Sequence, residues 1–271
     1  MTLTKLLVLA LAAGVSGRSG IPSPLGLQGF PGTLGRLGMP AFAVQAGGDP
    51  APAKPKPLGA KQYVDAGATN PKVLLIGGMV EDRILGNVNP WMKARNLNFY
   101  WWMIHGIPTR ESDAAQMMAG VEFDVIVFNE KGLPAWLKKS VTPEQYEQQA
   151  RSFIAMLRKN APKAKLIWDN NLPAIDPEGK LDPAKNAMVV ELNRVIEGIA
   201  VKEGISLNDF YSLMIDRLDL AKKVDKETQE DRWAYTSYVI PSVSAVNSIL
   251  KALGKPSLPP YTPGKSYDPN K

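Results

Sequence analysis

Apolar residues fall along the chain in five short blocks separated by longer stretches of mixed character. Lys72–Gly78 is a continuous apolar run closed by glycines, and Leu97–Ile104, Phe123–Asn129 and Ala164–Asp169 have the same form. Ile205–Tyr211 is a shorter fifth block. Runs of this length without polar alternation predict strands buried on both faces. Helical signals lie between them. Ser112–Ala119 predicts a short helix. Thr142-Pro-Glu-Gln opens a long one, with Thr142 as N-cap, Pro143 in the first turn and Gln145 completing a capping box. Tyr146, Ala150, Phe153, Ile154 and Leu157 then form one apolar stripe as far as Lys159. Asn186–Glu203 and Ile240–Leu253 predict two further helices. This alternation predicts an α/β domain over residues 61–254, built on a doubly wound parallel sheet.

The flanks read differently. Residues 1–17 place Lys5 before the apolar run Leu6–Val15, and Val15 and Gly17 stand as a −3/−1 pair of small residues. This pattern predicts a signal peptide, hence a secreted or periplasmic protein. The run is shorter than the about 20 residues a membrane helix needs, so no stable span is expected after cleavage. Residues 18–60 are rich in Gly, Pro and Ala and predict a disordered linker. Residues 255–271 predict a disordered tail.

Composition narrows the chemistry. The 271 residues contain no cysteine and one histidine, which excludes disulfides, cysteine nucleophiles and multi-histidine metal sites. Lys and Arg number 32 against 26 Asp and Glu, a net charge of +6. The basic residues are scattered and form no basic helix, so no nucleic-acid partner is expected. Gly77-Gly78 lacks the rest of a phosphate loop, and the carboxylates have no metal-ligand spacing. No cofactor is expected.

In open parallel sheets ligands bind beyond the carboxyl ends of the strands. The residues there are Gly77, Gly78, Met79, Glu81 and Asp82 after the first strand, and His105, Gly106, Thr109 and Ser112 after the second. Asn129, Glu130 and Gly132 follow the third strand, and Asp169, Asn170 and Asn171 the fourth. Asp231, Trp233 and Tyr235 precede the last helix. Trp168 reads as core. Trp91, Trp101, Trp102, Trp136 and Trp233 lie in or near the loops, where they either fill volume or stack on a ligand.

KVLLIGG, FDVIVFNEKGLP, the Thr142–Pro173 helix–strand unit, NRVIEGIAVKEGISLNDFYSLM and DRWAYTSYVIPSVSAVNSIL follow one another in an order that resembles the SGNH/GDSL hydrolases. These are secreted esterases and acetylhydrolases with a flavodoxin-like three-layer fold. The resemblance covers Lys72 to Leu253 and, with the strand–helix alternation, implies a five-stranded parallel sheet of order 2-1-3-4-5. It departs from the family in the catalytic letters. The nucleophile serine aligns with Met79 and the aspartate before it with Gly78. The third-block amide aligns with Pro134 or Ala135, and the histidine with Ala234. Gly106 and Asp231 match the second-block glycine and the last-block acid, and Gly77 and Thr236 match as scaffold.

Methionine has no proton to lose and alanine accepts none, so the covalent route of the family is closed under this alignment. The leading expectation is therefore an exported, non-catalytic domain that binds a glycan or an acyl-bearing surface ligand. Gly78, Met79, Gly106, Asn129, Asp169 and Trp233 would line its site. The alternative is an esterase with a non-standard site around His105, served by Asp231, Glu81 and Glu130. A purely structural module needs no pocket at all.

Overall fold

A computed structural model describes residues 60–107, 111–221, 238–262 and 267. The expected signal peptide and all but the last residue of the expected linker lie outside them. The central sheet carries the five expected parallel strands, here β2 (Lys72–Gly77), β3 (Asn98–Met103), β4 (Val125–Phe128), β5 (Lys165–Asp169) and β6 (Ser206–Asn208). Their order is β3-β2-β4-β5-β6, the arrangement the sequence implied. A sixth strand, β1 (Lys61–Val64), pairs antiparallel with β3, so the sheet is mixed rather than wholly parallel. The first residues of the domain thus belong to the sheet. Val64 is buried, and the Tyr63 ring meets Trp101 edge-on at 5.9 Å.

Strand residues alternate between two apolar layers. Val73, Leu75, Val125, Val127 and Ile167 face one cluster, and Leu74, Ile76, Ile126, Phe128 and Trp168 face the other. The first layer is covered by α1 (Met79–Ala94) and α7 (Val239–Ala252), the second by α2 (Glu111–Met118), α4 (Pro143–Asn160) and α5 (Pro183–Glu203). Short helices α3 (Leu133–Leu137) and α6 (Phe210–Ile215) complete the set.

α4 forms as its sequence dictates. The Thr142 hydroxyl accepts from Gln145 N at 3.2 Å, Thr142 N donates to Gln145 Oε1 at 2.8 Å, and all five stripe residues are buried. α5 begins at Pro183 behind the Asp182 cap and stops at Gly204, whose φ of 63° suits glycine. Two boundaries differ from expectation. The fifth strand ends at Asn208 because Asp209 caps α6, accepting from Ser212 N at 3.0 Å. The C-terminal segment is docked through 262 rather than disordered. Leu258 is buried with its N–H on Asn247 Oδ1 at 2.7 Å, and Tyr267 packs against Trp91 at 5.2 Å. Among the described residues no helix is long and apolar enough to cross a membrane.

Candidate functional site

The carboxyl end of β2 turns directly into α1. Gly78 is the N-cap, and its N–H donates to Glu81 Oε2 at 2.6 Å. Glu81 sits in the first turn, where a carboxylate complements the helix dipole. The two glycines are required by close approach. A Cβ on Gly77 would land on the stem of Glu81, and one on Gly78 would land on the stem of Lys131.

Lys131 reaches this place from β4. Its φ is 63°, in the left-handed region, and its N–H donates to Asn129 Oδ1 at 3.0 Å. This Asx-type turn throws the lysine back over the end of β2. Its ammonium lies 3.6 Å from Glu81 Oε2, with the lysine side chain 21% exposed and the glutamate 1%.

The neighbouring strand ends are laced together by amides. Asn129 Nδ2 donates to the Asp169 carbonyl at 2.9 Å, and Asn208 Nδ2 donates to Asp169 Oδ1 at 2.6 Å. Ser248 of α7 donates in turn to Asn208 Oδ1. Asp169 is fully buried, and its Oδ2 has no hydrogen-bond partner. Burial holds its carboxyl well above the ordinary range. The Asn208 hydrogen bond opposes this, and the Glu81 charge adds to it.

A stability signature follows. In strong acid Asp169 is protonated both folded and unfolded and contributes nothing. Above about pH 4 the unfolded chain ionises it and the folded chain does not, so stability falls as pH rises, until the folded group titrates. Burial raises Glu130 as well, which acts in the same direction. Asp169→Asn is expected to flatten this fall and to raise stability at neutral pH. Urea midpoints from pH 4 to 8 check it, and parallel curves for the two proteins would refute the assignment.

Glu130 points into the other layer. Tyr146 Oη donates to its Oε1 at 2.5 Å and Trp168 Nε1 to its Oε2 at 2.6 Å. Both oxygens are thus committed inside the domain. His105 and Gly106 are exposed in the loop after β3. That loop borders the end of β2, since Ile104 N donates to the Gly77 carbonyl at 2.7 Å. Among the described residues, His105 forms no hydrogen bond or ion pair with Glu81, Glu130 or Asp169.

Gly78, Glu81, Asn129 and Asp169 therefore share one crevice, while Glu130 is turned away and His105 stands at the neighbouring strand. Met79 opens α1. Asp231, Trp233, Ala234, Thr109 and Thr236 lie outside the described residues. Lys131, Asn208 and Ser248 are the members of the crevice that sequence reasoning missed. The polar run Asn129-Glu130-Lys131-Gly132, directly after an apolar strand, was the available signal for the first of them. Trp91, Trp101, Trp102, Trp136 and Trp168 are all buried and offer no open face for stacking. No three acidic or histidine side chains among the described residues converge as metal ligands do.

No protein-family profile and no curated protein sequence matches the chain. Solved structures do. An acetylxylan esterase from Geobacillus stearothermophilus superposes with a TM-score of 0.50 at 14% identity, over 73% of this chain and 96% of the esterase. A variant of it, described as an acetyl-xylooligosaccharide esterase, matches with a TM-score of 0.50 at 14% identity, over 78% of this chain and 100% of its own. A protein from Parabacteroides merdae named as a GDSL-like lipase reaches 0.48 at 12% identity, over 68% of this chain and 96% of its own. With its three layers, its strand order and its crevice at the carboxyl ends of the strands, the chain has the fold of an SGNH/GDSL-type hydrolase.

Proposed function

We propose that the protein is an exported, non-catalytic relative of these hydrolases that acts by binding a glycan or another surface ligand rather than by turnover. One observation carries the reading. Next to Met79, the position the resemblance aligns with the nucleophile, the turn from β2 into α1 carries the Glu81–Lys131 ion pair, and Lys131 lies over Gly78, where the family's aspartate would stand. An activated nucleophile needs a hydroxyl or thiol with a base in hydrogen-bond reach. Here both oxygens of the buried Glu130 and one oxygen of the buried Asp169 accept from protein donors, and the sole histidine is exposed and apart from them. The apolar run Leu6–Val15 supports export. Because five tryptophans are buried in the core, ligand recognition falls to polar and cationic surfaces.

The purified protein is expected to hydrolyse acetyl and short-acyl esters no faster than buffer and to take up no fluorophosphonate. Robust labelling of any serine, Ser112 included, or turnover that disappears in His105→Ala, would establish the esterase reading instead.

A further inference from the structure

A groove of about 810 Å³ runs beside α7, bounded by α6, the residues after it and the docked C-terminal segment. It is separate from the strand-end crevice and shares none of its residues except Ser248, which lines the groove wall. Its size falls within the roughly 300–1,000 Å³ of ligand pockets. The described residues that line it include three cationic side chains, Arg217, Lys251 and Lys255, and no carboxylate. Arg217 is shared with Asp219 at 3.0 Å, but Lys251 and Lys255 form no ion pair with any described residue. Ser244, Ser257 and Tyr261 add hydroxyls, and Leu213, Ile240 and Val243 add an apolar strip. Leu213 is 38% exposed.

The cationic wall continues. A second recess of about 430 Å³ shares Ser248 and Lys251 with the first and is lined further by Lys165 and Arg158, again with no carboxylate among its described residues. Lys165 spends one proton on the Ala252 carbonyl, and Arg158 is paired with Glu203, so these extend the track more weakly than Lys251 and Lys255.

We infer that this track binds an acidic oligosaccharide, a uronate-type glycan whose carboxylates meet Lys251 and Lys255. Its hydroxyls pair with Ser244, Ser257 and Tyr261, and the C–H face of its sugar rings lies on Leu213, Ile240 and Val243. Charge complementarity selects the anion. Alternating hydroxyl and apolar lining selects a sugar over a nucleic acid. A single strand would need open aromatic faces to stack on, and the one aromatic among the described residues of the groove, Tyr261, already packs edge-on against Tyr267 at 5.9 Å. The inference deepens the binding role proposed above and rests on it, but of the strand-end crevice it shares only Ser248, which is given no part in binding.

Calorimetric titration of the purified full-length chain with trigalacturonate tests it, with xylotriose and an oligo-dT strand titrated in parallel. Trigalacturonate is expected to bind and xylotriose not. The charge-reversal pair Lys251→Glu and Lys255→Glu is expected to weaken binding at least tenfold. Lys138→Glu with Lys139→Glu makes the same change in net charge on the exposed turn after α3 and should alter it less than twofold. Thermal melts confirm that both variants fold, and the neutral pair Lys251→Gln and Lys255→Gln serves if the reversal does not. No binding, equal weakening by the two pairs, or oligo-dT binding that depends on the same lysines each overturns the inference. Ester turnover in a protein that still binds trigalacturonate would instead sink the non-catalytic reading and leave the groove standing.

Discussion

Glu130→Ala is expected to destabilise the domain by about 3–5 kcal/mol, seen as a large drop in the urea midpoint. The Tyr146 hydroxyl and the Trp168 indole N–H both donate to this carboxyl, and all three groups are buried. Removing it strands two donors, each costing about 1–3 kcal/mol, and opens a void beneath α4. Tyr146→Phe removes one donor and leaves the other, so about 1–3 kcal/mol is expected. The experiment also separates roles. A residue kept for catalysis leaves stability nearly unchanged when truncated, so an alanine variant as stable as the parent would return Glu130 to the list of chemical groups.

Gly77→Ala and Gly78→Ala should differ although the residues are adjacent. At Gly77 the added methyl meets the buried stem of Glu81, which cannot move without giving up the Gly78 N–H and the ion pair. About 2–3 kcal/mol is expected, from overpacking and a broken charge-assisted bond. At Gly78 the methyl meets the stem of Lys131, a flexible side chain with solvent beside it, and the cost should stay near about 1 kcal/mol, mostly the weaker N-cap. Chemical denaturation of both variants decides the order. A larger loss at Gly78 would mean that the lysine, not the helix cap, is the rigid partner.

How legible these features were depends on what fixes each of them. α4 could be read in full because cap, proline, capping-box glutamine and stripe all point the same way. α1 could not. Ile84, Leu85, Val88, Trp91 and Met92 have helical spacing and are buried, but Gly86, Asn87, Asn89 and Pro90 are scattered among them. Local propensity argued against what the sheet surface imposes. β1 has only four residues beside a Pro-rich stretch, and its strand identity comes from pairing with β3. In the crevice, Glu81, Asn129 and Asp169 follow from the strand-end rule. The inward turn of Glu130 also had a signal. Ile126 and Phe128 face the α4 layer, and Glu130 continues the period of two. For Lys131 the polar run after the strand marked only the segment, since its place depends on one left-handed residue folding the chain back over a strand far away in sequence.

The position of α7 has a consequence in time. Val243, Val246, Ile249 and Leu250 cover the same sheet face as Val73, Leu75, Val125 and Val127, yet they follow every strand of the sheet in the chain and leave the ribosome after all of them. Until they emerge, one face of the central strands has only α1 and the short α6 to shield it, and the layer cannot close. Domains fold as units, so the cooperative step waits until α7 has been made. For the export proposed above such a wait would be useful, because a polypeptide threaded through a membrane channel must arrive there before its core has set.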